Sequence, residues 1–527
     1  MLRFVIILLL ILGIFFRFFH LDRKVYWFDE VYTSFRVAGY TSQEIDREIF
    51  QNQLITPADL QQFQQIKPGS TLADTIKSLI TEDPQHPPLY FSLARGWMQM
   101  FGSSLTASRS LPALISLLSL PLMYALAKEL FITKSTPGIA TALLALSPFD
   151  ILFAQTARQY SLLTLTILGS SYFLIKAVKN SIWRNWILFI LFCSLGLYTH
   201  PFFCLNLAAY IIFICFYYTT LKNRNYKILV RFSLSIFSCL IIYSPWLNVL
   251  KNNSARAFQA TNWANETTNI FFLIKQWILS FSALFFDLDW SSDNILNYLL
   301  RFPFIILIIL SIHTSVKQTN HLTKIFLLSS IFVPFLLLAI PDLLFASKRS
   351  SVTRYLISCF PGIQLAVAYF LTSTKITFYQ QQKLWRLGFA FLFTCSIISC
   401  SISAWANTWW CKGISYYNAA IAQIINQSQS AIIISDRGDG SLSKGNLISL
   451  SYILSDHIRI LPLSSPPNLE IINKLESQTK SDLFLFAPSK QFWQESKSLI
   501  NNQSISSQSN NFIVHIDQTL WQIKSTD

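Results

Sequence analysis

The chain is organised by a succession of apolar stretches, each about as long as a helix that crosses a bilayer. A span takes about 20 mostly apolar residues. About eleven segments meet that demand, near 2–19, 108–127, 137–155, 160–178, 184–200, 201–220, 228–249, 296–314, 324–341, 354–373 and 386–404. This pattern excludes a solvated globular enzyme and a disordered chain. Composition agrees: 52% of the 527 residues are hydrophobic and 13% are charged, whereas soluble domains carry about 25% charged residues. The first stretch begins with a thin basic flank, Arg3, and has no small-residue cleavage site after it, so it reads as an uncleaved signal anchor. Most of the eight cysteines (Cys193, Cys204, Cys215, Cys239, Cys359, Cys395, Cys400) fall in apolar stretches and read as small hydrophobes, not as a disulfide framework.

The basic excess, 41 Lys and Arg against 26 Asp and Glu, would suggest nucleic acid in a soluble protein. Here the positive-inside bias of short loops explains it, and no nucleic-acid partner is expected. With the N-terminus in the cytoplasm, the inside loops hold Lys128 and Lys134; Lys176, Lys179 and Arg184; Lys222, Arg224, Lys227 and Arg231; Lys317 and Lys324; Lys375, Lys383 and Arg386. Glu129 is the acidic residue among them. An odd number of spans then sends the C-terminus outside a bacterial-type plasma membrane.

This topology gives a transmembrane domain over 1–404 with outer loops at 20–107 and 250–295, and an extracytoplasmic C-terminal domain over 405–527. Ile270 to Phe286, interrupted by Lys275, reads as an interfacial or re-entrant helix. In the C-terminal domain the apolar runs Ala431–Ile434 and Leu483–Phe486 alternate with helix-like stretches at 415–427 and 489–500. That alternation predicts a small α/β domain. Asn501 to Asn511 reads as a loop, and Arg437-Gly438-Asp439-Gly440 as a strand-to-helix connection.

Chemistry-bearing residues cluster at the outer boundaries of the spans. Tyr26-Trp27-Phe28-Asp29-Glu30-Val31-Tyr32 places two carboxylates directly after an apolar span. Partial desolvation there can tune a carboxylate for proton abstraction. The alternative is that Asp29 or Glu30 starts an amphipathic helix running to Tyr40. In Glu82-Asp83-Pro84-Gln85-His86-Pro87-Pro88-Leu89-Tyr90 the double proline sets an extended approach to a membrane-edge helix. His86 before it fits a phosphate or metal contact, or a satisfied interfacial residue. Arg109 opens the second span, and Arg158 lies in Ala157-Arg158-Gln159-Tyr160 at the outer end of the third. Before the tenth span comes Lys348-Arg349-Ser350-Ser351-Val352-Thr353-Arg354-Tyr355. The orientation rule does not account for this outer basic cluster. Guanidinium groups there suit bidentate phosphate binding, or snorkelling to headgroups. No His- or Cys-rich spacing points to a metal site.

Taken in order, these pieces resemble the GT-C membrane glycosyltransferases: a cytoplasmic N-terminus, Asp29-Glu30 in the first outer loop, His86-Pro87-Pro88-Leu89-Tyr90 leading into a span, and an Ala-Arg-x-Tyr-Ser motif at 157–161. The branch most similar is the bacterial one related to protein O-mannosyltransferases and the lipid A aminoarabinose transferase. The resemblance covers roughly residues 1–370 and is strongest at 26–40, 84–130 and 155–200. It implies an inverting transfer of a hexosyl or pentosyl group from a polyprenyl-phosphate donor to a lipid, glycan or protein acceptor, without cofactor or metal. It also implies Asp29 as general base, with Glu30 and Tyr32 shaping the pocket. His86, Arg158 and Arg354 would hold anionic groups, with Arg109, Tyr160, Arg349 and Tyr355 alongside. Two other readings compete. A flippase of lipid-linked sugars would carry ionisable groups near mid-membrane, and a non-catalytic scaffold would not need the Asp29, His86 and Arg354 set.

Overall fold

Inside lipid every backbone polar group must find its partner within the chain, so the apolar stretches fold as helices. The computed structural model describes residues 2–220, 226–373, 379–438, 441–467, 469–478, 481–503, 512–516 and 519–523. Lys222, Arg224 and Lys375 of the orientation argument lie outside them, as do Asp439, Gly440 and residues 504–511. The chain divides into two units. One comprises Met1–Leu21, Leu79–Leu93 and Arg109–Trp405; the other comprises Asp22–Ser78, Ala94–Ser108 and Ala406–Asp527.

The first unit is a helical bundle. Among the described residues, 8 helices are long and apolar enough to cross a membrane, from Leu105–Leu130 to Arg386–Ser415. A ninth expected position holds a pair, Thr136–Ala145 and Pro148–Ala154, bent by 53°. The remaining expected positions are Leu2–Phe18 and Trp183–Thr199, each a helix of 17 residues. At about 1.5 Å per residue these two fall just short of the roughly 30 Å hydrocarbon layer. The bundle exposes large apolar side chains, among them Phe4, Ile11, Phe237, Phe302 and Ile309, as a lipid-facing surface must. Ile270–Ser282 has 13 residues, too few to span, as its interruption by Lys275 suggests.

The bend is held by reciprocal capping. Pro148 starts the second half and Ser147 Oγ accepts the Asp150 N–H at 3.3 Å. The carbonyls freed at the end of the first half are met by Arg17, which donates to Leu144 O at 3.0 Å and also to Ala145 O. Arg17 further donates to Ser116 Oγ at 3.0 Å and Gly13 O at 2.8 Å. In return, Gln155 Nε2 donates to Phe16 O and Phe19 O at 2.7 and 2.8 Å, closing the first helix. Gly13 is required for this approach, since a Cβ there would lie 2.4 Å from Ala145 O.

The second unit is an α/β sandwich around a five-stranded sheet. Its strands are β1 (Ala431–Asp436), β2 (Arg459–Leu463), β3 (Asp482–Phe486), β4 (Phe512–Ile516) and β5 (Leu520–Ile523). They lie in the order β2-β1-β3-β5-β4. β1 runs parallel to β2 and β3, while β5 is antiparallel to β3 and to β4. Both faces of β1 are buried, which is why it reads as a continuous apolar run. Ile432 and Ile434 enter one core with Leu461, Leu485 and Phe492. Ile433 enters the other with Phe484, Leu447, Phe35, Ile45 and Phe63.

That second core redraws the expected domain boundary. Residues 22–78 and 94–108 are not a loop of the membrane domain; they belong to the unit of the sheet and pack in the core on one of its faces. They also cover the edge of β2: Ile55 and Ile460 exchange backbone bonds at 2.8 and 2.9 Å, and Asn52 N donates to Pro462 O at 3.1 Å. Three Thr-x-x-acid sequences start helices in this segment. The carboxylates of Glu44, Asp59 and Asp74 accept the backbone N–H groups of Thr41, Thr56 and Thr71 at 2.7–2.8 Å.

Candidate active site

The expected site residues fall in both units. In the bundle, His86 follows a turn in which its N–H donates to Asp83 O at 2.9 Å. Trp246 Nε1 fixes that turn by donating to Pro84 O at 3.2 Å. Gln159, at the start of helix Tyr160–Asn180, places Nε2 3.4 Å from His86 Nδ1. A residue the motifs did not single out, His200, lies within electrostatic reach of His86, Arg158 and Arg354. It is buried at the end of helix Trp183–Thr199. The Phe202 N–H donates to its Nδ1 at 3.1 Å, which leaves Nε2 as the ring's donor.

Aromatic rings frame this basic group. Tyr160 lies 6.2 Å from the His200 ring, Phe202 lies 5.2 Å from it, and Tyr355 lies 4.5 Å from Phe202. The Arg354 guanidinium is 5.5 Å from the centre of the Tyr355 ring. The structure therefore brings His86, Arg158, Tyr160, Arg354 and Tyr355 together around His200.

Arg109 and Arg349 have bonds outside this group. Arg109 is fully buried and donates to Leu21 O at 2.8 Å, closing the chain after the first helix. Arg349 donates to Asn265 Oδ1 at 2.6 Å. Its loop is shaped by buried Asp342, whose carboxylate accepts the N–H groups of Arg349 and Ser350 at 3.0 and 2.5 Å and the Ser347 hydroxyl at 2.5 Å. Ser280 and Thr353 hydroxyls, 2.8 Å apart, fasten the same loop to helix Ile270–Ser282.

Asp29, Glu30 and Tyr32 lie in the second unit, on helix Phe28–Ala38, which ends at Gly39 in the left-handed region (φ 95°). The helix-starting role belongs to Glu30. Its Oε2 accepts the Trp27 N–H at 3.1 Å and the Lys412 ammonium at 3.0 Å, and both ionic side chains are almost wholly buried. Asp29 is half-buried, and its backbone carbonyl accepts the Thr33 hydroxyl at 2.9 Å. Tyr32 packs on Phe35, with ring centres 4.6 Å apart. Gly445 lies against Tyr32, where a Cβ would come within 2.7 Å of its ring.

The fold that these elements build is that of the GT-C membrane glycosyltransferases, and the resemblance noted in the motifs holds. Residues 85–247 match the family described as dolichyl-phosphate-mannose-protein mannosyltransferase. Over 99% of its length the chain is similar to ArnT from Cupriavidus metallidurans in the apo state, with 12% identity, 98% of that chain covered and a TM-score of 0.58. It is similar to ArnT bound to undecaprenyl phosphate over 99% of its length, with 11% identity, 97% of that chain covered and a TM-score of 0.54. The apo Archaeoglobus fulgidus oligosaccharyltransferase matches 92% of this chain and 69% of its own, at 10% identity and a TM-score of 0.51. At these identities the likeness is one of fold. A search of curated proteins gives no match.

Proposed function

We propose that this protein is an inverting glycosyltransferase. It moves a hexosyl or pentosyl group from a polyprenyl-phosphate donor to a lipid, glycan or protein acceptor on the outer face of the membrane. The observation that carries this reading is the gathering of His86, Arg158 and Arg354 around His200 in a membrane bundle. A leaving phosphate bears its charge in the transition state, and preorganised basic donors stabilise it. Undecaprenyl phosphate, the ligand named for one ArnT structure, has this chemistry: a phosphate on a lipid that stays in the bilayer. The reading needs neither cofactor nor metal.

In the reaction, an acceptor hydroxyl or amine attacks the anomeric carbon from the face opposite the phosphate. Its proton passes to the Asp29 carboxylate, the C–O bond to phosphate breaks, and polyprenyl phosphate leaves with the bonding pair. Asp29 is preferred to Glu30, whose carboxylate is committed to Trp27 and Lys412. A flippase would use ionisable groups inside the spans. Arg17 and Asp150 are such groups, but Arg17 is bonded to helix ends and the Asp150 carboxylate to Gln364 Nε2 at 2.8 Å, which is an architectural use.

Mass spectrometry of envelope glycans from a deletion strain tests the reading. One sugar should be missing, and the wild-type gene should restore it. The Asp29→Asn variant should restore it about 10²–10⁴-fold more slowly. Glycans identical to the parent strain's would overturn the assignment.

A further inference from the structure

The Glu30–Lys412 pair joins positions far apart in sequence and withdraws both charges from solvent, with side-chain exposures of 0% and 1%. Such a pair is a weak source of stability, because apolar replacements of both partners often do as well. Its position is more informative than its energy. Glu30 follows Asp29 directly, and Phe28, which precedes Asp29, has its N–H bonded to Ser415 Oγ at 3.1 Å. Upstream, the Val25 N–H donates to Asn407 O at 2.8 Å. Residues on both sides of Asp29 are therefore held by one short stretch, 407–415.

That stretch is itself fixed. Trp410–Ser415 is a 3-10 turn interrupted at Gly413, whose backbone lies at φ 53°, ψ −128°, and the Lys412 N–H donates to Trp409 O at 2.9 Å. The Lys412 side chain is thereby aimed at one carboxylate oxygen, which also accepts the Trp27 N–H. A single Oε2 thus closes the first turn of the Asp29 helix and ties that turn to the 407–415 stretch.

We propose that Lys412, acting through Glu30, is a positioning residue that sets the place of the Asp29 carboxylate. This rests on the reading of Asp29 as general base. A base loses rate steeply when displaced by about 1 Å, so a clamp on both sequence neighbours acts on turnover rather than on donor binding.

The test uses full-length protein in membranes of the deletion strain, which retain the acceptor. Lipid extract of that strain, containing the unused donor, is supplied in graded amounts. The informative variant is the double substitution Glu30→Gln with Lys412→Met, since Gln still fills the capping box and no charge is left buried alone. Its maximal rate should fall about 10- to 100-fold, with the half-saturating amount of extract within about twofold of wild type. Ser415→Ala, which frees the Phe28 N–H, should lower the rate in the same direction by a smaller factor. Wild-type maximal rate in a double variant that is present in normal amount would overturn the proposal. So would a loss seen wholly in the half-saturating amount. Asp29→Asn in the same assay separates the two readings: if it retains wild-type rate, the base assignment fails and the clamp has no base to place. If Asp29→Asn is inactive while the double variant runs at full rate, only the positioning role fails.

Discussion

The Arg17 guanidinium lies 3.0 Å from the carbonyl oxygen of Leu144, at the point where a helix stops partway through the bundle. The pairing places a cation at the negative end of a broken helix and supplies donors to carbonyls that lipid cannot satisfy.

Arg17→Met should therefore lower the stability of the bundle markedly. It strands the carbonyls of Leu144 and Ala145 at the helix end, and each unsatisfied buried acceptor costs about 1–3 kcal/mol. Thermal melting in detergent, followed by loss of the monodisperse species, should show a clear drop in midpoint. Arg17→Lys should fall in between, because it keeps the charge and loses the fork geometry. An unchanged midpoint for Arg17→Met would remove the capping role.

Arg354→Ala should weaken donor use while leaving the amount of membrane protein near normal. A charge-assisted contact at a partly buried site contributes about 1.5–3 kcal/mol, or roughly ten- to a hundred-fold in affinity. The measurement is the half-saturating donor concentration; if it equals the wild-type value, Arg354 serves only the lipid interface.

The C-terminal unit is expected outside the cytoplasm, on the strength of the basic residues in the short loops. A reporter active only in the cytoplasm, fused after Asp527, should stay dark. A bright fusion would reverse the topology and the proposed face of the reaction.

The second unit should be sensitive to acid. Burial raises the Glu44 carboxyl, but bonds from Lys67 and from the Thr41 N–H and hydroxyl outweigh it and leave it below its ordinary 4.5. Asp59 and Asp74 are lowered, chiefly by the N–H and hydroxyl of Thr56 and Thr71. Lys67 is raised above 10.5, first by its bond to Glu44. A carboxylate lowered on folding stabilises fully above its unfolded value, and that gain is lost as pH falls through the folded one. The raised lysine contributes below its unfolded value and loses its share as pH rises through the folded one. Stability from these groups should hold from about pH 5 to about pH 10 and decline on either side. Melting followed by tryptophan fluorescence across that range is the check, and Thr41→Val should shrink the acid-side loss. A wild-type midpoint constant down to about pH 3 would refute the account.

Much of this architecture is legible in the sequence because lipid enforces length and apolarity, and each expected span position holds a helix. β1 and β3 were equally legible, being short apolar runs buried on both faces. β2 was not: Pro462 interrupts it, and it persists only as an edge strand. The joining of residues 22–78 to the tail depends on long-range packing of Phe35, Ile45 and Phe63, which no local pattern announces. The Asp29-Glu30 pair stood out, yet its division of roles depends on Lys412, a lone lysine among tryptophans. His200 was hidden at the end of an apolar run. The signal that marks it is its His-Pro dipeptide, the same two residues that begin the segment at His86.

The sheet-bearing unit draws its interior from segments on either side of the membrane bundle in the sequence, and this bears on how the protein is made. Phe35, Ile45 and Phe63 leave the ribosome early, whereas the strands that cover them, with Ile433 and Phe484, come only after the whole membrane bundle. Throughout that interval the early helices lack the strands that complete their core. A premature stop in the tail therefore does not merely trim a dispensable appendage. It orphans the helix that carries Asp29, so a nonsense mutation after the bundle acts on a segment made before it.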